Sequence, residues 1–393
     1  MSRSFFDRIS VMRIDRDGAM SIVFVDGRVV SASSTREIFD RTSAITSSAY
    51  HPHSHQLHLQ TKRGHNIVIE LPEPAELAPL DDRPTIYLDQ NHWSTLTNTI
   101  HEPHRVPSEQ ERAAAQHIIT LATERRIVLP MSSAHMSETC KQVDVEQRYR
   151  RALTILRLSA GWQLRDPLAL RRFELRQALT VRFHARCLIP PAAVTLEPNA
   201  IHDGRDKSLD EVASDLPAEA RSAVHAIRCI GGIADTMLDD DHVPHDPVPG
   251  WTVGFQQFTD FLQDNPSGKE LKRRRTRAKF MADSGNEIAL AASMSGITTD
   301  DLSNWFFNDS EEDVSRMPSL GLFREVLHEK LAKNGLRWEH NDLTDMMYLT
   351  TAAGYCDHVV GERSHASHLT NSARRLGRTV RIHRNLQGLV DEF

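Results

Sequence analysis

The sequence predicts an α/β protein built on a parallel sheet, and three observations lead there. Short apolar runs, "IYL" (86–88), "RIVLP" (126–130), "HVVG" (358–361) and "TVRIH" (379–383), alternate with segments of helical period. Strands separated by helices of that length need crossover connections, which makes them parallel neighbours in one sheet. The same runs are bounded by turn and cap residues rather than by continuous apolar sequence, so each is a short strand and not part of a longer buried helix.

The elements follow in order. Residues 1–72 predict a small β-rich N-terminal domain: "SIVFV" and "RVVSA" flank Asp26-Gly27, a strong hairpin turn, and "HLQTKRGHNIVIEL" gives a second pair around Gly64. The stretch 72–84, "PEPAELAPLDDRP", has four prolines and no apolar period, which makes 73–84 a linker. Residues 85–142 form the first part of the α/β domain. In it Ser108 and Glu111 read as a capping box opening a helix to about Glu124, "RIVLP" reads as a short buried strand, and Ser132 or Ser133 caps the next helix. Residues 143–335 are mostly helical in pattern, broken at "IPPAAVTLEPN", "DDDHVPHDPVPG" and "DNPSG", and too long for a loop, so they read as a helical insertion. Residues 336–393 complete the α/β domain with a helix from Asp342, a strand at 358–361, another helix and the final strand.

Composition sets outer limits. A chain of 393 residues, 39% hydrophobic and 25% charged, can bury more than one apolar core and has the balance of a soluble protein. No run of about 18 apolar residues occurs and "MSRSFFDRIS" turns polar within a few positions, so a cytoplasmic location and no membrane partner are expected. Cys140, Cys187, Cys229 and Cys356 are widely spaced without a C-x-x-C pair, which suggests buried small hydrophobes rather than a disulfide framework or a cysteine zinc site. The net charge of -6 argues against a protein that coats nucleic acid non-specifically, yet leaves room for a local basic groove.

Chemistry concentrates in acidic residues. In an open parallel sheet, ligands bind beyond the carboxyl ends of the strands. Asp89 stands at that end of the first strand, in "IYLDQNHWSTL". Alone it reads as well as a cap for the helix that follows. It is accompanied by Glu138 on the helix after the second strand, by Asp342 and Asp345 three apart on one helix face, and by Glu362 at the carboxyl end of "HVVGE". Clustered carboxylates repel one another unless they take up protons or a cation neutralises them. Oxygen-only donors select hard ions, so Mg²⁺ or Mn²⁺ is expected, with phosphodiester hydrolysis as the chemistry.

These residues resemble a known family. "IYLDQNHWSTL", the serine-rich helix start leading to Glu138, and "NDLTDMMYLTTAAGYCDHVVGE" are similar to the signature segments of PIN-domain (PilT N-terminus) nucleases. The resemblance covers about 86–142 and 336–385. It implies a parallel-sheet α/β/α sandwich, here with the large helical insertion and the N-terminal β-rich domain, and a metal-dependent nuclease activity. Carried over by position, Asp89, Glu138, Asp345 and Asp342 are the catalytic acids, with Glu362 a further metal ligand, while Asn91, Ser94 and His92 support them. Where the family has Thr or Ser followed closely by Asp, this chain has Gly361 and Glu362. RNA is favoured over DNA as the partner by family analogy alone, and a toxin or phage-defence effector, a homo-oligomer or an inhibitory protein partner are compatible with that reading. The alternative is a catalytically inactive PIN-like module that binds RNA or protein.

Two further features complete the reading. "LKRRRTRAKF" holds Lys272, Arg273, Arg274, Arg275, Arg277 and Lys279, either a solvated helix face or a nucleic-acid contact. His92, His135 and His340 each lie beside a proposed acid in sequence. His51, His53, His55 and His58 have spacing that could bring imidazoles onto one strand face, although a polar strand edge needs no metal.

Overall fold

The computed structural model describes residues 5–33, 43–71, 80, 82–202, 218–244, 250–333 and 335–393. Most of the expected linker lies outside the described residues. The strands are β1 (Ile9–Asp15), β2 (Ala19–Phe24), β3 (Val29–Ser33), β4 (Ile45–His51), β5 (Gln56–Thr61), β6 (Asn66–Glu70), β7 (Ile86–Leu88), β8 (Gln163–Leu164), β9 (Val194–Thr195), β10 (His358–Val360) and β11 (Arg381–His383). The helices are α1 (Gln90–His101), α2 (Glu109–Thr123), α3 (Ser133–Cys140), α4 (Val145–Ser159), α5 (Pro167–His184), α6 (Ala218–Leu238), α7 (Gly250–Asp264) and α8 (Lys269–Asp283). They continue with α9 (Gly285–Met294), α10 (Thr299–Asn308), α11 (Ser310–Arg316), α12 (Pro318–Ala332), α13 (Asp342–Tyr355), α14 (Arg363–Arg375) and α15 (Leu386–Val390). The class is mixed α/β, and no helix among the described residues is long and apolar enough to cross a membrane.

Chain contacts divide the protein into two compact units that interleave along the sequence. The first comprises Met1–Thr85, Trp93–Arg165 and Val194–His245; the second comprises Ile86–His92, Asp166–Ala193 and Asp246–Phe393. The boundary therefore falls inside α1, and α2 and α3 belong with the N-terminal strands.

In the first unit, β1–β6 form an antiparallel sheet in the order β3-β2-β1-β4-β5-β6. Both expected hairpins form: Gly27 and Gly64 take φ of +85° and +78°, the left-handed region that a Cβ disfavours. Strand alternation puts Leu57 and Leu59 of β5 and Ile67 and Ile69 of β6 into the core, where α4 packs. Tyr149 of α4 shares a 3.0 Å hydroxyl contact with Thr61, and Asp235 of α6 accepts the Ser43 hydroxyl at 2.5 Å. The cap at Ser132 is reciprocal. Its hydroxyl accepts the His135 N–H at 3.4 Å while His135 Nδ1 accepts the Ser132 N–H at 3.2 Å.

One expected element is corrected here. Residues 126–130 do not form a strand but make a single parallel bridge, Val128 with Thr85. Pro130 has no N–H to donate, so a ladder running through "RIVLP" cannot continue. The cysteines also depart from expectation, since Cys140 is buried but Cys187 is exposed and Cys229 and Cys356 are half-buried.

The second unit holds a parallel sheet in the order β11-β10-β7, with Val360 beside Leu88 and His383. Each strand is three residues long, and Ile86, Leu88, Val359 and Val360 are fully buried. The central helix is α12, packed against α5, α8, α11, α13 and α14. Its Leu320, Leu322, Leu327 and Leu331 are almost wholly buried, and burying each leucine contributes about 1.5–3 kcal/mol. Gly354 of α13 meets the start of α12 so closely that a Cβ there would stand 2.9 Å from Pro318 backbone atoms.

Candidate functional site

The parallel register fixes the first two acids. Asp89 follows β7 directly, and its backbone N–H continues the ladder by donating to Val360 O at 2.9 Å. Glu362 stands two residues beyond Val360, so the two acids lie just past the carboxyl ends of adjacent parallel strands. Asp89 Oδ1 accepts the Gln90 N–H at 2.8 Å, and its carbonyl accepts the His92 N–H at 2.9 Å. Asn91, exposed on the first turn of α1, donates its side-chain amide to Glu362 Oε1, while His92 is buried.

The third group comes from α13. Asp342 opens the helix with Oδ2 accepting the Glu339 N–H at 2.7 Å, and its Oδ1 pairs with the ammonium of Lys330. Lys330 and Asp342 are 6% and 9% exposed, so this ion pair is buried. Lys330 lies over the Trp338 ring, 5.1 Å from its centroid. Asp345, one turn on, is half-buried. His340 Nδ1 lies 3.1 Å from Asn341 Oδ1, beside the helix start.

His365 lies half-buried on the first turn of α14. Burial pushes its imidazole below the usual range and the Lys330 charge pushes the same way, whereas Asp89, Glu362 and Asp342 oppose them. Its Nδ1 is buried and has no hydrogen-bond partner among the described residues. Sequence reasoning singles out neither His365 nor Lys330. The former carries a usable signal, its place on the first turn of the helix that Glu362 immediately precedes.

The donor set fits a hard divalent ion in kind only, because Asp89, Asp345 and Glu362 offer carboxylate oxygens. The spacing is not that of a bound ion: among the described residues no three such side chains are already gathered around one point.

Two of the expected residues fall in the first unit. Glu138, half-buried on α3, and Ser94 on α1 belong to the first unit. Within that unit Arg151 on α4 is lowered by burial, and the Glu138 charge counters the effect. The histidine run of the first unit gives one ring pair, His51 and His58 with centroids 4.4 Å apart.

The basic run lies on α8 and is largely engaged inside the second unit. Lys272 donates to Ala332 O at 3.1 Å, Arg273 to Glu325 at 3.3 Å and Arg275 to Asn265 O at 2.9 Å. Arg277 pairs with Glu311 at 2.6 Å and Lys279 with Asp283 at 2.5 Å. Arg274 is the outward one, with only a 3.6 Å pair to Glu270 one turn away, both side chains about three-quarters exposed.

No family model matches the chain, and neither a curated protein nor a solved structure matches it.

Proposed function

We propose that the chain is a PIN-like nuclease that hydrolyses phosphodiester bonds, RNA ahead of DNA, at the carboxyl edge of its three-stranded parallel sheet, with Mg²⁺ or Mn²⁺ as cofactor. The observation that carries this reading is the parallel register that sets Asp89 and Glu362 just past the carboxyl ends of adjacent strands, with Asn91 donating its amide to Glu362.

Asp89, Asp345 and Glu362 are the residues that would hold the ion. Such an ion supplies Lewis acidity toward a phosphodiester. The chain's own residues do the positioning. Asn91 holds Glu362 through its amide, and the β7–β10 ladder holds the backbone of Asp89. His365, neutral near pH 7, offers a nitrogen that can accept or return a proton at the acidic edge.

The test is incubation of the purified chain with labelled single-stranded RNA and DNA in Mn²⁺, Mg²⁺ or EDTA. Metal-dependent cleavage of RNA ahead of DNA is the expected result, and no cleavage of either in any metal sinks the nuclease reading. A second reading, an inactive PIN-like module that binds RNA or protein, draws on the Lys330–Asp342 pair, which already neutralises one of the acids. Binding of RNA without cleavage distinguishes it.

A further inference from the structure

We infer that the first unit holds a binding site for a small aliphatic anion, a carboxylate or phosphate head on a hydrocarbon body, at the outer edge of β6. The site belongs to the first unit alone and is independent of the proposed nuclease activity.

β6 closes the antiparallel sheet on one side, and an edge strand leaves every second peptide group without a ladder partner. Two arginines take up those carbonyls. Arg157 of α4 donates its Nε to Asn66 O at 2.9 Å, and Arg125, just past α2, donates to Val68 O at a longer 3.4 Å. The two acceptors are two residues apart on the strand, about 7 Å. Both guanidinium groups are therefore ranged along one strand edge.

The same arginines line a 390 Å³ pocket together with His101 at the end of α1. That size lies within the roughly 300–1,000 Å³ of small-molecule sites. The walls are aliphatic: Ile119 of α2 and Leu153 and Leu158 of α4 are buried, and Ile100 of α1 is exposed. Among the described residues no aromatic ring and no carboxylate lines it. A nucleobase would find nothing to stack on, whereas a hydrocarbon body matches the walls.

The polar groups select the head. Among the described residues Arg157 makes only the Asn66 bond, so its terminal nitrogens are left for an acceptor. Arg125 reaches Glu70 at 3.2 Å, but that carboxylate is also held by Arg83 at 3.1 Å and by the Trp162 indole at 2.9 Å. One anion thus serves two guanidinium groups, and the trio keeps a positive charge. The other acids of this region are engaged: Glu102 pairs with Arg105 and Arg150, and Glu146 with Arg63 and Arg150. Burial lowers the His101 imidazole, and Arg150, Arg157 and His65 push the same way against Glu146, so the neutral ring has an N–H to offer. Uncompensated guanidinium groups beside an aliphatic cavity are matched by an anion, because their planar fork fits carboxylate or phosphate oxygens.

The test is calorimetric titration of the full chain with octanoate, octyl phosphate, octanol and inorganic phosphate, in wild type, Arg157→Met and Thr123→Trp. Arg157→Met removes the charge and keeps an apolar stem. Thr123→Trp, at the exposed end of α2, fills the pocket and leaves both arginines in place, so the site is still tested should the other variant fail to fold. Expected are one octanoate or octyl phosphate per wild-type chain, octanol and inorganic phosphate each at least roughly tenfold weaker, and a loss of roughly tenfold or more in each variant. The tighter of the two octyl anions identifies the head group. Octanol binding as tightly as octanoate would reveal an apolar void alone, and inorganic phosphate binding as tightly as the octyl anions a bare cationic patch; either overturns the proposal. So does wild-type affinity in a folded variant, or no binding of any probe.

Discussion

The hydroxyl of Tyr355 on α13 donates to Glu174 Oε1 on α5 at 2.8 Å, inside a 560 Å³ cavity lined also by Phe173, Leu188 and Met317. The same carboxylate accepts the Ser319 and Leu320 N–H groups at 2.7 and 2.9 Å, the first donors of α12. Three helices are thereby joined at one buried anion. Burial raises the Glu174 carboxyl above its usual range, and the three donors oppose that rise. Tyr355→Phe removes one donor from a carboxylate that is only 3% exposed, so it is expected to cost about 1–3 kcal/mol. Glu174→Gln costs more, because its NH₂ must then face an N–H. Urea melts that rank the two variants in reverse order would show that the backbone donors are not what holds the carboxylate.

A pH effect follows from the other end of the same unit. His358 Nδ1 and His383 Nε2 are 3.1 Å apart, with ring centroids 5.3 Å apart, and Arg381 approaches His358 Nε2 at 3.4 Å. Burial lowers both imidazoles below their ordinary 6.5; His383 and Arg381 push His358 further down, while Glu392 and Asp357 partly counter. In the unfolded chain these histidines take up protons near 6.5, whereas the folded pair resists them. Their stabilisation is therefore present above about pH 6.5 and lost as pH falls through the lowered folded values. Melting temperature is expected to drop between pH 7 and 5, with a smaller drop in His383→Gln. Parallel profiles for the two proteins would remove the pair as the source.

Activity separates the acids. Asp89→Asn keeps an Oδ1 for the Gln90 N–H, so folding is expected to persist while cleavage is lost. Without metal, its melt is expected to equal or exceed wild type, since one repelling charge is gone. Glu362 is exposed and is held by Asn91, whereas Asp345 is half-buried on α13. Glu362→Gln is accordingly expected to lose less activity than Asp345→Asn in initial-rate assays with Mn²⁺. Equal losses would make Glu362 as essential as Asp345.

Sequence carries most plainly what local chemistry decides. Asp26-Gly27 and Gly64 specify hairpins through their own backbone freedom, and Ser132 specifies a helix start through its own hydroxyl. The strand tip at Asp89 is legible because a short apolar run that ends abruptly in a carboxylate must stop where the chain leaves the core. Residues 126–130 mislead because their apolar content suggests a strand while the missing N–H of Pro130 prevents one. Lys330 is illegible for a different reason: a lysine in a helical pattern normally faces water, and its burial depends on helices from distant segments closing around α12. The basic run hides its role in the same way, since Glu311 and Glu325, which engage Arg277 and Arg273, lie far away in sequence.

Part of the basic run is committed to a buried carboxylate. Glu325 is 2% exposed and is held by Arg273 and Arg324, each at 3.3 Å, so Arg273→Ala weakens the pairing of a buried carboxylate and is expected to cost about 1–3 kcal/mol. Arg274, facing outward with a long pair to Glu270, is expected to change stability by no more than about 0.5 kcal/mol when replaced by alanine. If α8 held a nucleic-acid strand, Arg274→Ala would nevertheless flatten the salt dependence of binding. Each phosphate contact on a single strand adds about 0.7 to the slope of log affinity against log salt. Arg363, exposed and adjacent to Glu362 at the acidic edge, is better situated to contact a phosphate that reaches the site. Binding of single-stranded RNA from low to high salt is therefore expected to lose about 0.7 of slope in Arg363→Ala and to be unchanged in Arg274→Ala. The reverse pattern would return the groove to α8 and leave Arg363 a solvated neighbour of the acids.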